Sequence, residues 1–251
     1  MKEPAKVKVL IAGGRGRVGS KVADLLESRG VEVVSGGLDD GVDYIEGTRV
    51  AEVLEGVDTI VNVLNTNRFD EEGAVSFFDG TTRALTAAGE EAGVRHHILL
   101  SIVGVGDEDG SDIGYYLAKV AQERALKAGS IPYTVVRSTQ FQSYVPVLAD
   151  QHTVDGKVLA PRDLIQPVEL DELAALLVEV TLSGGPLGDV EIAGPERFHM
   201  DDLLRGTLAA TGDPRDVVTV ESLGAEDAMV PRGEYHVGKT LYPIRDIPLA
   251  S

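Results

Sequence analysis

Apolar residues recur along this chain in two alternating rhythms. Val7 to Ala12 is a continuous apolar run, so residues 6–12 predict a buried strand. Val18, Val22, Leu25 and Leu26 then recur at helical spacing, which predicts a helix over 17–29 stopped by Gly30. A second strand follows at 31–35 and a weak third at 42–46. Thr48 reads as the N-cap of a short helix running to Glu55 and closed by Gly56. Residues 58–64 predict a fourth, strongly apolar strand. From about 70 to 92, Ala74, Phe78, Thr81, Leu85, Ala88 and Ala92 step by three and four and give one buried helix face. That spacing makes Phe77 and Phe78 packing residues. A fifth strand at 95–102, a helix over 113–128 before Gly129, and a sixth strand at 132–137 complete the series.

Six strand–helix alternations imply right-handed crossovers and a parallel, doubly wound α/β sheet of Rossmann type. After Gln140 the rhythm changes. Short strands (158–161, 190–193, 217–220) are separated by helices over 170–182 and 200–211, with Gly184-Gly185-Pro186 as a break. We read 1–140 as the core. Residues 141–251 are read as a smaller substrate-binding lobe resting on the sheet's edge, with an irregular tail from Ser222, the whole forming one integrated domain.

Between the first strand and the first helix stands Gly13-Gly14-Arg15-Gly16-Arg17-Val18-Gly19. Glycines at 13, 16 and 19 allow a tight turn, close approach of a phosphate and close helix–strand packing. A pyrophosphate is held by main-chain N–H groups and the positive end of a helix. Strand, glycine turn and helix is the context that a dinucleotide-binding loop requires. The second strand ends in Ser35-Gly36-Gly37, where NAD-binding units commonly place an acidic residue for the ribose 2′-hydroxyl. Arg15 offers a guanidinium for a 2′-phosphate instead. The pattern therefore leans to NADP (NADPH), with NAD as the alternative should Asp39 or Asp40 reach in.

Composition narrows the classes. The chain has 251 residues, 43% hydrophobic and 25% charged, ample for a globular core. No run is long enough to span a bilayer, and no signal peptide is visible ahead of the first strand. There is no cysteine, which removes disulfides, thiolate metal sites and a cysteine nucleophile, and fits a cytoplasmic setting. Lys+Arg 23 against Asp+Glu 41 gives a net charge of −18, which opposes a nucleic-acid partner. His96 and His97 are adjacent on a strand, point to opposite faces and cannot share one metal ion. His152 and His199 read as surface or capping residues.

The helix after the fifth strand opens Gly114-Tyr115-Tyr116-Leu117-Ala118-Lys119. Tyr115 and Lys119 are four apart and share a face. A nearby cation favours a phenolate, so such a tyrosine can pass a proton to a carbonyl oxygen while a nicotinamide supplies hydride. Here the chain resembles the short-chain dehydrogenase/reductase superfamily, and more closely its atypical, NmrA-like NAD(P)-binding branch. The likeness rests on the glycine loop, the run Gly93 to Val105, Gly114 to Lys119, Ile131 to Phe141, Gln166-Pro167-Val168 and Ile192 to Glu196. It spans about 6–220.

By that resemblance Gly13, Gly16 and Gly19 hold the pyrophosphate, and Asn65 and Thr66 lie near a cofactor ribose. Tyr115 is the general acid/base and Lys119 fixes the nicotinamide ribose. The backbone of 138–141, with Thr139, meets the carboxamide. The superfamily's catalytic serine has one candidate in the fifth strand, Ser101, which stands one residue early; Ser111, in the acidic loop 104–112, is the alternative. Arg15 replaces the threonine usual in the branch. The expected activity is NAD(P)H-dependent reduction of a carbonyl or conjugated bond of a small apolar molecule. A non-catalytic NAD(P) sensor and a non-redox epimerase or cyclase are the alternatives. The resemblance is compatible with a monomer or a homodimer.

Overall fold

A computed structural model describes residues 7–66, 71–105, 114–222, 227 and 229–250. In chain order its elements are β1 (Lys8–Ala12), α1 (Arg17–Ser28), β2 (Glu32–Gly36), α2 (Val50–Leu54), β3 (Thr59–Asn62), α3 (Glu71–Ala92), β4 (His96–Ile102), α4 (Gly114–Lys127), β5 (Tyr133–Ser138), α5 (Val145–Gln151), β6 (Thr153–Val154), β7 (Lys157–Pro161), β8 (Leu164–Ile165), α6 (Leu170–Leu182), β9 (Gly188–Ala193), β10 (Phe198–His199), α7 (Met200–Thr211), β11 (Val217–Val220) and β12 (His236–Val237).

Among the described residues the large sheet has seven strands in the order β12-β9-β5-β4-β3-β1-β2. β1 lies between β2 and β3, parallel to both, with Ala12 opposite Gly36 on one side and Asn62 on the other. The order reverses beside β1, the crevice where open α/β sheets bind ligands at their carboxyl ends. Val9, Leu10, Ile11 and Ala12 are wholly buried, which is why this strand carries no polar alternation. Each of the three larger side chains, Val9, Leu10 and Ile11, adds about 1.5–3 kcal/mol when removed from water.

By contact the chain divides into two compact units. The first comprises the described residues of 1–101, 112–136 and 174–190; the second comprises those of 102–111, 137–173 and 191–251. In the first, Leu10, Ile60, Leu54 and Leu85 form a common core. In the second, α5, α7 and β7 close over Val145, Val158, Phe198 and Leu203.

Several expectations are corrected. Residues 42–46 form no strand. Val42 and Tyr44 are buried, but Asp43 Oδ1 accepts the N–H groups of Ile45 (2.9 Å) and Glu46 (3.1 Å), and a single bridge joins Asp43 to Thr48. Thr48 is not the cap of α2; that position is Arg49, in a left-handed conformation (φ 55°), while the Thr48 carbonyl accepts from Asp43 N. On α3 the buried face turns away from Ala92, which is exposed, and takes in Thr82, Thr86 and Gly89. Residues 190–193, expected in the smaller lobe, belong to β9 of the large sheet. The tail is not wholly irregular: β12 runs parallel to β9, and Tyr242 and Ile247 join the second unit's core. No helix among the described residues is long and apolar enough to cross a membrane.

Candidate functional site

The glycine loop follows β1 directly. Gly13 N donates to Gly36 O (2.7 Å), Gly14 N to Ile11 O (3.1 Å) and Gly16 N to Gly13 O (3.0 Å). Gly13 has φ +90°, and a Cβ there would stand 3.0 Å from Val63 O. At Gly19 a Cβ would run into Gly13 O and lie 2.8 Å from Gly14 Cα, so loop and helix backbones are in contact. Gly14 is packed against Ser35, whose hydroxyl a Cβ would strike. α1 starts after Gly16 with no side-chain cap and no acidic residue in its first turn. Arg15, Gly16 and Arg17 are exposed, whereas Val18 and Gly19 are buried. The orphan N–H groups of an uncapped first turn and a loop without side-chain bulk fit a dinucleotide pyrophosphate.

Arg15 does not stand alone. Its Nε lies 2.6 Å from Asp40 Oδ1, in the single 3₁₀ turn Leu38–Asp40 that follows β2. Of the two carboxylates weighed at this place, Asp40 is the one engaged, while Asp39 is exposed.

The second cluster lies on α4. Tyr115, in its first turn, is 40% exposed, and its hydroxyl donates to Asn65 Oδ1 at 3.4 Å. Asn65 Oδ1 also accepts from Thr66 N (2.9 Å), which fixes the amide. Lys119, one turn on, is buried. Its Nζ donates to Leu100 O (2.8 Å) and to Gln122 Oε1, and lies 4.7 Å from the centre of the Phe78 ring. Burial drives its pKa down to about 7, with Glu123 acting weakly the other way. Phe78 also meets Tyr115 edge-to-face, with centroids 5.9 Å apart. Tyr116 is pushed up to about 12 by burial and by Tyr115.

Asn65, Thr66 and Tyr115 are thus joined, and Phe78 links Tyr115 to Lys119. Ser101 follows the carbonyl that holds Lys119; its own hydroxyl is buried and has no hydrogen-bond partner. Thr139, in the second unit, donates to Gln166 O at 2.6 Å. Ser111 and the loop from 106 to 112 lie outside the described residues. Sequence reasoning missed Gln122 and the contact role of Phe78. The signal for Gln122 was its place three residues after Lys119, on the same helix face.

The paired histidines turn to different partners. His96 Nε2 meets Thr134 Oγ1 (2.9 Å) and His97 Nδ1 meets Thr86 Oγ1 (3.3 Å), and burial lowers His97 to about 3. Among the described residues no group of three or more His, Asp or Glu is placed to hold a metal.

A family model described as NAD(P)H-binding matches residues 13–181. The chain belongs to this NAD(P)H-binding family. The match runs from the glycine loop through the helix that bears Tyr115 and Lys119. An NAD(P)H azoreductase of Xenophilus azovorans is 22% identical over 248 residues, covering 90% of this chain and 81% of that protein. Among solved structures, a dTDP-4-dehydrorhamnose reductase ortholog from Clostridium acetobutylicum shares the fold with a TM-score of 0.67 at 17% identity, covering 93% of this chain and 90% of that one. The UDP-glucose 4-epimerase of Thermus thermophilus, solved with NAD, gives 0.65 at 17% identity and covers 90% of each chain. These neighbours share the Rossmann-type α/β fold of this NAD(P)H-binding family member.

Proposed function

We propose that this NAD(P)H-binding protein is a reductase, preferring NADPH, that reduces a carbonyl or conjugated bond of a small apolar molecule. The observation that carries the reading is the glycine loop against an uncapped α1, with an exposed tyrosine hydroxyl one turn before a buried lysine. The azoreductase relative supports a conjugated bond as the target. When bound, the nicotinamide supplies a hydride. Main-chain N–H groups of 17–19 hold the pyrophosphate, and Arg15 binds a 2′-phosphate once it leaves Asp40. Asn65 aims the Tyr115 hydroxyl, which donates the proton that completes reduction of C=O or N=N. Lys119, anchored on Leu100 O, sets the electrostatics beneath that hydroxyl and would turn outward to a ribose. The unpartnered Ser101 hydroxyl would share the substrate oxygen with Tyr115.

The test is NADPH consumption over a panel of quinones, azo compounds and aldehydes, with product identified. Turnover of one class, lost in Tyr115→Phe while NADPH still binds, supports the mechanism. Turnover intact in Tyr115→Phe sinks it.

The inward position of Lys119 favours a second reading, a protein that binds NAD(P) without turning it over and signals its redox state to a partner. Tight binding with no turnover across the panel would select that reading.

A further inference from the structure

One guanidinium of the second unit is held without a counter-charge. β8 and β10 pair antiparallel with Ile165 opposite Phe198, and both side chains enter that unit's core. Continued one step, the register sets Gln166 opposite Arg197, on the other face. Gln166 is buried, and both ends of its amide are used. Oε1 accepts from Arg197 Nε (3.3 Å) and Nη2 (3.2 Å), while Nε2 donates to Gly194 O (2.6 Å) and to the Tyr235 hydroxyl (3.2 Å). Its main-chain carbonyl accepts from Thr139 Oγ1 (2.6 Å). This amide is a fixed platform, with half-buried Arg197 at one end and half-buried Tyr235 at the other.

What the pair leaves open is all donor. Arg162, Arg205, Arg215, Arg232 and Arg245, in the same unit, each lie 2.6–3.6 Å from a carboxylate oxygen. Arg197 has no carboxylate partner among the described residues, although the chain holds 41 acidic residues against 23 basic ones. Its bonds to Gln166 are longer than the roughly 2.7–2.9 Å of a charge-assisted contact. They use the Nε–Nη2 edge alone, so the Nη1–Nη2 fork is open. The Tyr235 hydroxyl accepts from Gln166, which leaves its own proton to give. A half-buried cation with no anion is costly, and a guanidinium fork beside a phenol is the donor set that a flat carboxylate matches.

We infer that Arg197 and Tyr235 bind a carboxylate on the molecule that this protein reduces, an otherwise apolar compound with one anionic end. The inference rests on the reductase reading and deepens it by naming a substrate class. The two carboxylate oxygens accept from Nη1 and Nη2, and one of them also accepts the phenol proton. Gln166 acts through Arg197 and Tyr235 as their positioning residue.

4-Formylbenzoate and 4-formylbenzamide test this, because they differ in charge and little in shape. Binding of each to the whole chain is followed by ligand-observed NMR, and reduction by NADPH is measured separately. The natural chain should bind the carboxylate at least about tenfold more tightly than the amide. Arg197→Gln should bring that ratio within about twofold of unity. Arg197→Lys, which keeps the charge and loses the fork, should leave it between the two. Tyr235→Phe should lower it about threefold. A purely structural Arg197 would move both ligands alike and leave the ratio intact. A ratio near unity in the natural chain, a ratio that Arg197→Gln leaves unchanged, or no binding of either compound overturns the inference. Arg197→Lys and Tyr235→Phe, judged by the same ratio, replace any Arg197→Gln preparation that does not melt cooperatively. Carboxylate binding with these ratios and no NADPH consumption keeps the carboxylate site and sinks the reductase reading. Reduction of both compounds at a ratio that Arg197→Gln does not alter keeps the reductase reading and sinks the carboxylate site.

Discussion

The glycine loop and the inner face of α4 are two candidate half-sites built on opposite principles. The loop works through main-chain atoms. Its geometry is dictated by what cannot be present, since a Cβ at Gly19 would run into Gly13 O. The α4 face works through side chains that have rotamers and alternative partners: Tyr115 reaches Asn65, but Lys119 turns to Leu100 O and Gln122. A backbone-built site is rigid and intolerant of substitution. A side-chain-built site can be rearranged by a ligand, and its members are separable by mutation.

The sharpest way to break that contrast is Gly19→Ala. The added methyl has only backbone to displace, so the loop or the helix must shift. Binding of NADPH and NADH should fall at least about a hundredfold, and stability by about 1–3 kcal/mol. Gly16→Ala is the internal control, because its Cβ would meet only Gly13 O, at 3.2 Å. It should lose far less stability, although its methyl, where a pyrophosphate approaches, still weakens dinucleotide binding. Equal losses of the two variants in urea unfolding would mean that the loop is held less tightly than the contacts imply.

Tyr115→Phe comes next. With Tyr115 40% exposed, its hydroxyl contributes little to folding. Turnover should drop by about 10²–10⁴, the range for a positioned general acid, with cofactor affinity and melting temperature nearly unchanged. A change in melting but not in turnover would move Tyr115 from chemistry to packing.

The two half-sites also differ in how much of them can be read from sequence. Strand, glycine turn and helix were legible because spacing alone fixes main-chain geometry, and β1, α1 and the seven-stranded order bear that out. The stretch 42–46 was misread because Val42 and Tyr44 alternate with polar residues as a strand would. The Asp43 side chain, however, caps the very N–H groups a neighbouring strand would need. Arg15 was legible as a cation beside the loop, but its ion pair depends on a 3₁₀ turn whose course no periodicity encodes. Positions 115 and 119 share a helix face, yet Lys119 falls inside, beside Phe78, while Tyr115 stays exposed. Sharing a face says which residues are neighbours; only tertiary packing says which way the face looks.

Lys119 gives a smaller but cleaner effect, in pH. Its folded pKa is lowered to about 7 by burial, while an unfolded lysine titrates near 10.4. Below about pH 7 both states carry the proton, and the penalty for burying the charge is complete. Between about pH 7 and pH 10 the unfolded state binds more protons, so stability rises with pH, by at most about 1.4 kcal/mol per unit. Lys119→Met keeps an unbranched side chain, one atom shorter, that suits the neighbouring Phe78 ring and has no proton to lose. The difference in unfolding free energy between variant and wild type should favour the variant at about pH 6 and shrink by about pH 9. The double difference matters, because with a net charge of −18 the whole chain also responds to pH. A flat difference would mean that the ammonium reaches water.

Ser101→Ala carries the smallest expected effect and asks most of the comparison. The Ser101 hydroxyl is buried with no partner, so its removal leaves no orphan and should change stability by less than about 1 kcal/mol in either direction. If that hydroxyl waits for a substrate oxygen, turnover should fall about tenfold while KM and cofactor affinity move little. Unchanged turnover would leave Tyr115 as the sole proton-handling group among the described residues and make Ser101 a strand-end packing residue. A fall in turnover that vanishes in the Tyr115→Phe background would show that the two hydroxyls act on one oxygen. The α4 face would then be a shared site of the kind that the glycine loop achieves with backbone alone.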